Sequence, residues 1–553
     1  MPQSPLIRLL LLTCLVWSGG LLRGGFALDD LEVLRGNPVV QGDVPWQVAF
    51  QQDYWAHQPA GSAGHFRPLA TLSLRWDHRL WGLEPWGYHV TNLLLHLCVV
   101  ALAGSILAGL ERGGGAAAWL GLGVFALHPA LCDSVVWISG RTSMLSALPG
   151  LLGAYWLLRP GPSWRTACLA GLALAGSMLG KEDGVLFALI LPLVAARTGG
   201  RRGAGAAGLG VLVALACCAW LRYLALGQWM PAATHAPLAG VPLLERLHLG
   251  GGVLWRLLTT FLTPFSQAAP QAGVEAIAAT PGWLTRVMLV ALAGVVIAGL
   301  RALLRGRDPA LGASLLLSSL ALLVHAQLIP SGELFGPRFL YLPLLLGVLP
   351  LDRSLRGIHA RCAPHAPWPW ILALAAVPLV WFQAETYGSR RLYWEAVLED
   401  QPGSPQAWNA LGNAAMEDGQ AWKARRAWER ATELAPDYSR PWTNLGGQAL
   451  KEGQLVEALE YLQRATQVGA DNPVAWANLG NALLRQGDPA AAIVAYDRAT
   501  TLAPSVAALW RGMARAQEAG GHREAAQVAI EKALALNPQD VLVRDLAQRL
   551  KGK

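Results

Sequence analysis

Long apolar runs fill the first 384 residues and limit what that part of the chain can become. Runs able to cross about 30 Å of hydrocarbon occur at 6–22, 89–109, 115–127, 143–158, 166–180, 184–196, 205–226, 283–300, 310–329, 338–350 and 368–384, which gives eleven crossings. In lipid each peptide group must be satisfied within the segment, so these are expected to be α-helices. The run at 251–268 is interrupted by Arg256 and Pro264 and reads as interfacial or re-entrant. The first run reads as an uncleaved span, because no small-x-small cleavage site follows it.

Orientation follows from the arginines. With the N-terminus cytoplasmic, the inner loops collect Arg112, Arg159, Arg165, Arg197, Arg201, Arg202, Arg301, Arg305, Arg307, Arg353, Arg356 and Arg361. The outer segments carry chiefly Arg141, Lys181 and Arg338. An odd number of crossings then puts the C-terminal part on the outer face, with the long first loop at 23–86.

Charge supports a membrane body. Charged residues make up 14% of the chain, against about 25% for a soluble domain. The first 384 residues hold 25 Lys+Arg and 16 Asp+Glu, and the remainder 19 and 20, so the basic excess belongs to loop arginines. No basic stripe with interleaved aromatics points to nucleic acid. The seven cysteines lack CxxC spacing and fall mostly in apolar runs, which excludes a zinc site or disulfide framework.

The outer segments concentrate the polar chemistry. Asp29–Asp30 follows the first apolar run, where an enzyme at a bilayer surface needs a general base or a metal ligand. Asp30 is the candidate for a divalent Mg, Mn or Ca ion. Lys181, the only lysine in the first 384 residues, stands beside Glu182 and Asp183, and an ammonium there is costly unless paired or facing water.

A different period governs the C-terminal part. Trp408, Trp442, Trp476 and Trp510 are spaced by 34 residues, as are Gly419, Gly453, Gly487 and Gly521. Pro402, Pro436, Pro504 and Pro538 share one lattice, with Ala470 in the gap. This is the tetratricopeptide pattern of paired helices. Small Ala424, Ala458, Ala492 and Ala526 let two helices approach, while Trp428, Leu462, Tyr496 and Ile530 are expected to fill the gap between neighbouring repeats. The expected architecture is all-α: a multi-span membrane domain over 1–384, a linker or half-repeat helix at 385–404, four repeats at 405–540, and a capping helix and tail at 541–553. The repeats, marked by their four tryptophans, are expected to bind a protein or peptide.

The order Phe26-x-x-Asp29-Asp30, Arg67-Pro68-Leu69, Gly87-Tyr88-His89-x-x-Asn92, His128-Pro129, Trp137-x-Ser139-Gly140-Arg141, Lys181-Glu182 and Arg338-x-x-Tyr341-Leu342-Pro343 resembles the transmembrane and tetratricopeptide-repeat-containing (TMTC) proteins, with a bacterial-type layout. The resemblance implies a GT-C glycosyltransferase that takes a sugar from a polyprenyl-phosphate donor, in the manner of protein O-mannosylation. On that reading Asp29, Asp30 and Asp133 are the catalytic candidates. Arg141, Lys181 and Arg338 would hold the donor phosphate, supported by Glu182, His128 and Tyr341. The chain departs from the family pattern at Leu131, Asp133, Ser143 and Pro337. The expected setting is a bacterial inner membrane, with site and repeats on the periplasmic or luminal side, and the partners are membrane lipid, donor and protein acceptor. The alternatives are a membrane-anchored scaffold without chemistry and a transporter of lipid-linked sugars; the spans show no internal repeat to support the latter.

Overall fold

The first apolar helix, Pro5–Arg23, does not stand alone at the edge of the structure. Its Trp17 indole donates to the Ala126 carbonyl at 2.8 Å, and the Trp381 indole reaches the Leu15 carbonyl at 3.4 Å. Where this helix ends, Gly25 N–H donates to Gly388 O at 3.0 Å. A Cβ on Gly25 would come within 2.6 Å of that oxygen, so glycine is required for the approach. The start of the chain is thereby tied to the helix Trp368–Tyr387.

The computed structural model describes residues 5–55, 65–110, 119–157, 163–227, 241–264, 277–306, 308–326, 335–362, 368–537 and 541–551. Among the described residues every regular element is helical. They form two compact units, Met1–Gln401 and Pro402–Lys553, each described by itself.

In the first unit, Pro85–Leu110, Gly208–Leu226 and Gly282–Arg305 are long and apolar enough to cross a bilayer. Ile371–Tyr387 and Arg390–Glu399 meet that standard together across a 108° bend. Shorter apolar helices are Pro5–Gly19, Pro309–His325 and Pro337–Leu346. The eleven expected crossings need correction at two places. Of the run at 115–127, the described residues hold the helix Leu120–Leu127, which stops at His128-Pro129; its 8 residues rise about 12 Å. The runs at 184–196 and 205–226 are one helix, Val185–Leu226, of 42 residues. At about 63 Å it is roughly twice the hydrocarbon thickness, and Arg197, Arg201 and Arg202 lie on it rather than in a loop. The odd-number argument for orientation therefore fails. Arg112, Arg159 and Arg307 lie outside the described residues.

The second unit follows its lattice closely. Helix pairs Pro405–Glu417/Ala421–Leu434, Ser439–Glu452/Leu455–Val468, Pro473–Gln486/Pro489–Leu502 and Ala507–Ala519/Arg523–Leu536 precede a final helix, Val541–Lys551. Each tryptophan of the 34-residue series donates its indole N–H to a carbonyl six residues earlier, at Pro402, Pro436, Ala470 and Pro504, over 2.7–3.1 Å. The lattice position supplies a carbonyl, which explains why alanine serves at 470. Pro538 lies outside the described residues. The bulky series packs inside each pair: a Cβ on Gly412 would lie 2.4 Å from Trp428, one on Gly446 2.5 Å from Leu462, and one on Gly480 2.7 Å from Tyr496. The same residues reach the following element as expected: Trp428 clusters with Leu445, Leu462 with Leu479, Tyr496 with Met513 and Ile530 with Val543.

Gly412→Val is expected to overpack this contact and cost about 1–3 kcal/mol. Amide hydrogen exchange on the full-length protein should quicken across 405–434.

Candidate active site

The acid pair sits on a tight turn. Leu28 adopts φ +47°, a left-handed conformation unfavourable to a side chain, and Asp30 N–H closes the turn onto Ala27 O at 2.9 Å. The Asp30 carboxylate accepts from Ala27 N–H at 3.0 Å with one oxygen, and from Ser139 N–H at 3.0 Å and Ser139 Oγ at 2.8 Å with the other. Its side chain is buried. Burial pushes the carboxyl up to about 6, against the opposing pull of the Ala27 and Ser139 hydrogen bonds and of Arg141. Asp30 thus joins the turn after the first helix to Ser139-Gly140-Arg141. Both its oxygens are engaged, and no group of three or more His, Cys, Asp or Glu able to hold a metal occurs among the described residues. These residues do not fit the expected metal at Asp30. Asp29 is half-buried and stands at the N-cap of Asp30–Gly36, where the helix end favours a negative charge.

The cations each come with a carboxylate, but at different depths. Arg141 donates to Asp77 at 2.6 Å, with side-chain exposures of 0% and 1%. It also donates to the Ile138 and Tyr88 carbonyls. Sealed inside, Arg141 is placed to hold the fold and not to meet a phosphate. Arg338 pairs with Asp133 at 3.3 Å, exposed 8% and 0%, and lies over the Trp137 ring at 4.7 Å. Its own backbone N–H also donates to Asp133, at 2.9 Å. Asp133 is therefore committed to Arg338. Lys181 pairs with Asp183 at 3.0 Å and donates to Ser143 Oγ at 3.3 Å, so the serine standing where the family pattern is acidic still contacts the ammonium. Arg67 pairs with Glu182 at 2.9 Å, and here Glu182 is 34% exposed. Burial raises the Glu182 carboxyl, but the Arg67 guanidinium and the His65 ring outweigh it and hold it well below the usual range.

These groups fall into two neighbourhoods. Tyr54 lies within electrostatic reach of Asp29, Arg67 and Asp30. Asp53 positions it: this carboxylate accepts from Trp55 N–H at 2.7 Å and His65 N–H at 2.6 Å, while Tyr54 N–H donates to His65 O at 2.8 Å. His65 and Arg67 follow directly, reaching Glu182. On the other side, Lys181 and Arg338 both act on His325, which stacks on Phe339 at 3.9 Å. Asp29, Asp30 and Arg67 thus share the surroundings of Tyr54, and Lys181 and Arg338 those of His325, with Lys181 and Glu182 neighbours in the chain. His128 and Tyr341 are placed elsewhere: His128 stacks on Phe261 and bonds its carbonyl at 2.9 Å, and Tyr341 meets His96 Nδ1 at 3.0 Å. His128 caps the turn between Leu120–Leu127 and Pro129–Leu131, and Tyr341 is buried. The four tryptophans belong to the repeat unit. Sequence reasoning missed Tyr54, Asp53 and the role of Arg67. Arg67-Pro68 was visible as a motif, whereas the Asp53 bonds depend on a loop closure with no local signal.

Two measurements check this arrangement. Asp30 is protonated in the folded chain to higher pH than in the unfolded chain, so its contribution is full below about pH 4 and declines as pH rises to about 6. Melting across pH 4–7 should show a decline of up to about 3 kcal/mol in the wild type that Asp30→Asn lacks. Arg141→Gln leaves Asp77 buried without its cation and should cost about 3–5 kcal/mol; adding Asp77→Asn should recover much of the loss on denaturant titration.

Tetratricopeptide-repeat models match residues 473–506, and 388–439 and 410–473. The chain is 34% identical over 173 residues to human protein O-mannosyl-transferase TMTC2, covering 30% of this chain and 21% of that protein. It is 29% identical over 221 residues to Drosophila melanogaster protein O-mannosyl-transferase Tmtc3, covering 34% and 24%. The match thus spans about a fifth to a quarter of the length of these relatives. Among solved structures, the chain is similar to MamA (22% identity, 29% of this chain and 84% of that chain, TM-score 0.24). It is also similar to YrrB, a TPR protein with an unusual peptide-binding site (20% identity, 35% and 97%, TM-score 0.26). The chain carries tetratricopeptide repeats and, over 23–34% of its length, is similar to the protein O-mannosyl-transferases TMTC1 to TMTC4.

Proposed function

We propose that this protein is a membrane glycosyltransferase that moves a mannose-like sugar from a polyprenyl-phosphate donor to a protein hydroxyl, with its repeats holding the acceptor or a partner enzyme. The observation that supports the reading is the half-buried Asp29, which shares the surroundings of Tyr54 with Arg67 of the partly exposed Arg67–Glu182 pair, Lys181 being the next residue in the chain before Glu182. Asp29 takes the proton of the acceptor hydroxyl. The hydroxyl oxygen forms the new bond to the anomeric carbon as the bond from that carbon to the phosphate oxygen breaks. The phosphate leaves with the bonding electrons, and Lys181 and Arg67 steady its charge. Asp30, Arg141 and Arg338 hold these groups in register, and no step is routed through a metal.

The site and the repeats are read as sharing the non-cytoplasmic side, the periplasmic face in a bacterium. The support is the Arg390–Glu32 ion pair at 3.1 Å, because Arg390 opens the helix that leads to the end of the first unit and Glu32 lies two residues after Asp30. A scaffold without chemistry is favoured by a different observation: each of these cations already carries a carboxylate.

Asp29→Asn should lower mannosyl transfer from a polyprenyl-phosphate donor to a Ser/Thr peptide by about 100-fold or more with the protein still folded. Equal transfer by wild type and variant would leave the scaffold reading in its place.

A further inference from the structure

The apolar segment Gly208–Leu226 contains a single charged residue, Arg222. A lone cation in such a span is costly and is a functional-site candidate by default. Its position follows from the neighbouring helix, Trp164–Gly180. A Cβ on Gly171 would lie 2.9 Å from Gly210 O, and Cys218 Sγ donates to the Ala175 carbonyl at 3.6 Å, so the two segments run side by side in the same direction. One turn beyond Cys218, Arg222 reaches the level of Lys181 and Glu182, where Trp164–Gly180 has just ended. Val185 starts from that same end, so the long helix folds back between its two ends. Arg222 is half-buried there, within electrostatic reach of Glu182, Asp53 and Arg67.

The surroundings of this arginine narrow its ligand. Trp220 and Tyr223 beside it are exposed and stack at 6.3 Å between ring centroids, the aromatic pattern of a hydrocarbon–water boundary. Leu209, Leu212 and Val213 are exposed on the same segment, so apolar surface leads up to Arg222 from the hydrocarbon. A snorkelling arginine also sits at this depth, but it turns to water, whereas Arg222 turns towards the candidate site. A lipid phosphate rests at the same level while its chain stays in hydrocarbon. With five donors in a planar fork, a guanidinium can take a phosphate oxygen and keep a carboxylate.

We propose that Arg222 receives the phosphate of the polyprenyl donor on the lipid side of the site, with the isoprenoid chain lying along the exposed apolar face of Gly208–Leu226. The assignment rests on the transferase reading above and extends it to the donor's entry from the bilayer. Arg67 and Lys181 meet the same phosphate from within the site.

The test uses the full-length protein in mild detergent, with undecaprenyl phosphate, undecaprenol and phosphatidylglycerol as separate probes in native mass spectrometry. The wild type should retain undecaprenyl phosphate at least about tenfold better than either other lipid. Arg222→Gln should lose that preference and Arg222→Lys should recover part of it; Arg222→Met, suited to a lipid-facing helix, serves if the glutamine variant does not fold. In mannosyl transfer, Arg222→Gln should raise the KM for the donor by about tenfold or more and leave that for the Ser/Thr peptide unchanged. Undiminished retention and an unchanged donor KM in a folded variant would overturn the assignment. Equal retention of phosphatidylglycerol by the wild type would overturn the donor as ligand and leave an anchor for any anionic lipid. Binding is read apart from transfer: Arg222-dependent retention in a protein that moves no sugar would defeat the transferase reading and sustain the phosphate site.

Discussion

A charge removed from water must be matched nearby, and the first unit is organised by that requirement. Arg141–Asp77 and Arg338–Asp133 are buried ion pairs, and neither partner could be lost cheaply. Each pair ties segments distant in sequence: Arg141 lies 64 residues from Asp77, and Arg338 lies 205 from Asp133. Asp30 adds a third tie, spanning 109 residues to Ser139. Together they fix the short helices Cys132–Val135 and Ser139–Arg141 between the first helix and the segment at Pro337–Leu340. The more exposed pairs, Arg67–Glu182 and Lys181–Asp183, rest on that frame.

What was legible in the sequence divides along the same line. The repeats were legible because their signal is local and periodic: the tryptophan, the turn glycine and the small residues each recur within one helix pair. The reactive residue types at the first unit's polar end were also legible, since charges next to apolar runs stand out. Their partners were not. Asp30 looks like a base or metal ligand until Ser139 and Ala27 occupy its oxygens. Arg141 looks like a phosphate ligand until Asp77 encloses it. The helix Val185–Leu226 was misread because an Arg- and Gly-rich stretch resembles a loop in composition, while nothing in that stretch breaks the helical hydrogen-bond ladder as proline would.

The two carboxyls flanking Tyr54 and Arg67 illustrate how one small region can hold opposite protonation tendencies. Asp30 is buried with neutral donors around it, so burial dominates and its acidity weakens. Glu182 keeps partial access to solvent and has both a guanidinium and an imidazole at its oxygens, so the ionised form wins. Environments that push like groups apart in this way separate structural from chemical duties. Asp29, half-buried beside Asp30 in the chain, has the accessibility that Asp30 lacks.

The paired cations also bear on how a phosphate could be held. A guanidinium already bound to a carboxylate offers a neutral pair, so it attracts an anion from a distance only weakly. Binding must then come from direct contact, with the incoming oxygen sharing the donors that the carboxylate leaves open. Arg67 and Glu182 suit this exchange best, because their exposures of 17% and 34% exceed those of the deeper pairs. Arg has five N–H donors in a planar fork and can serve two anions at once. Lys181, with three donors divided between Asp183 and Ser143, has one more to give. A site built this way favours a ligand anchored by another part of itself, and the proposed lipid-linked sugar, confined to the bilayer, would supply that anchor.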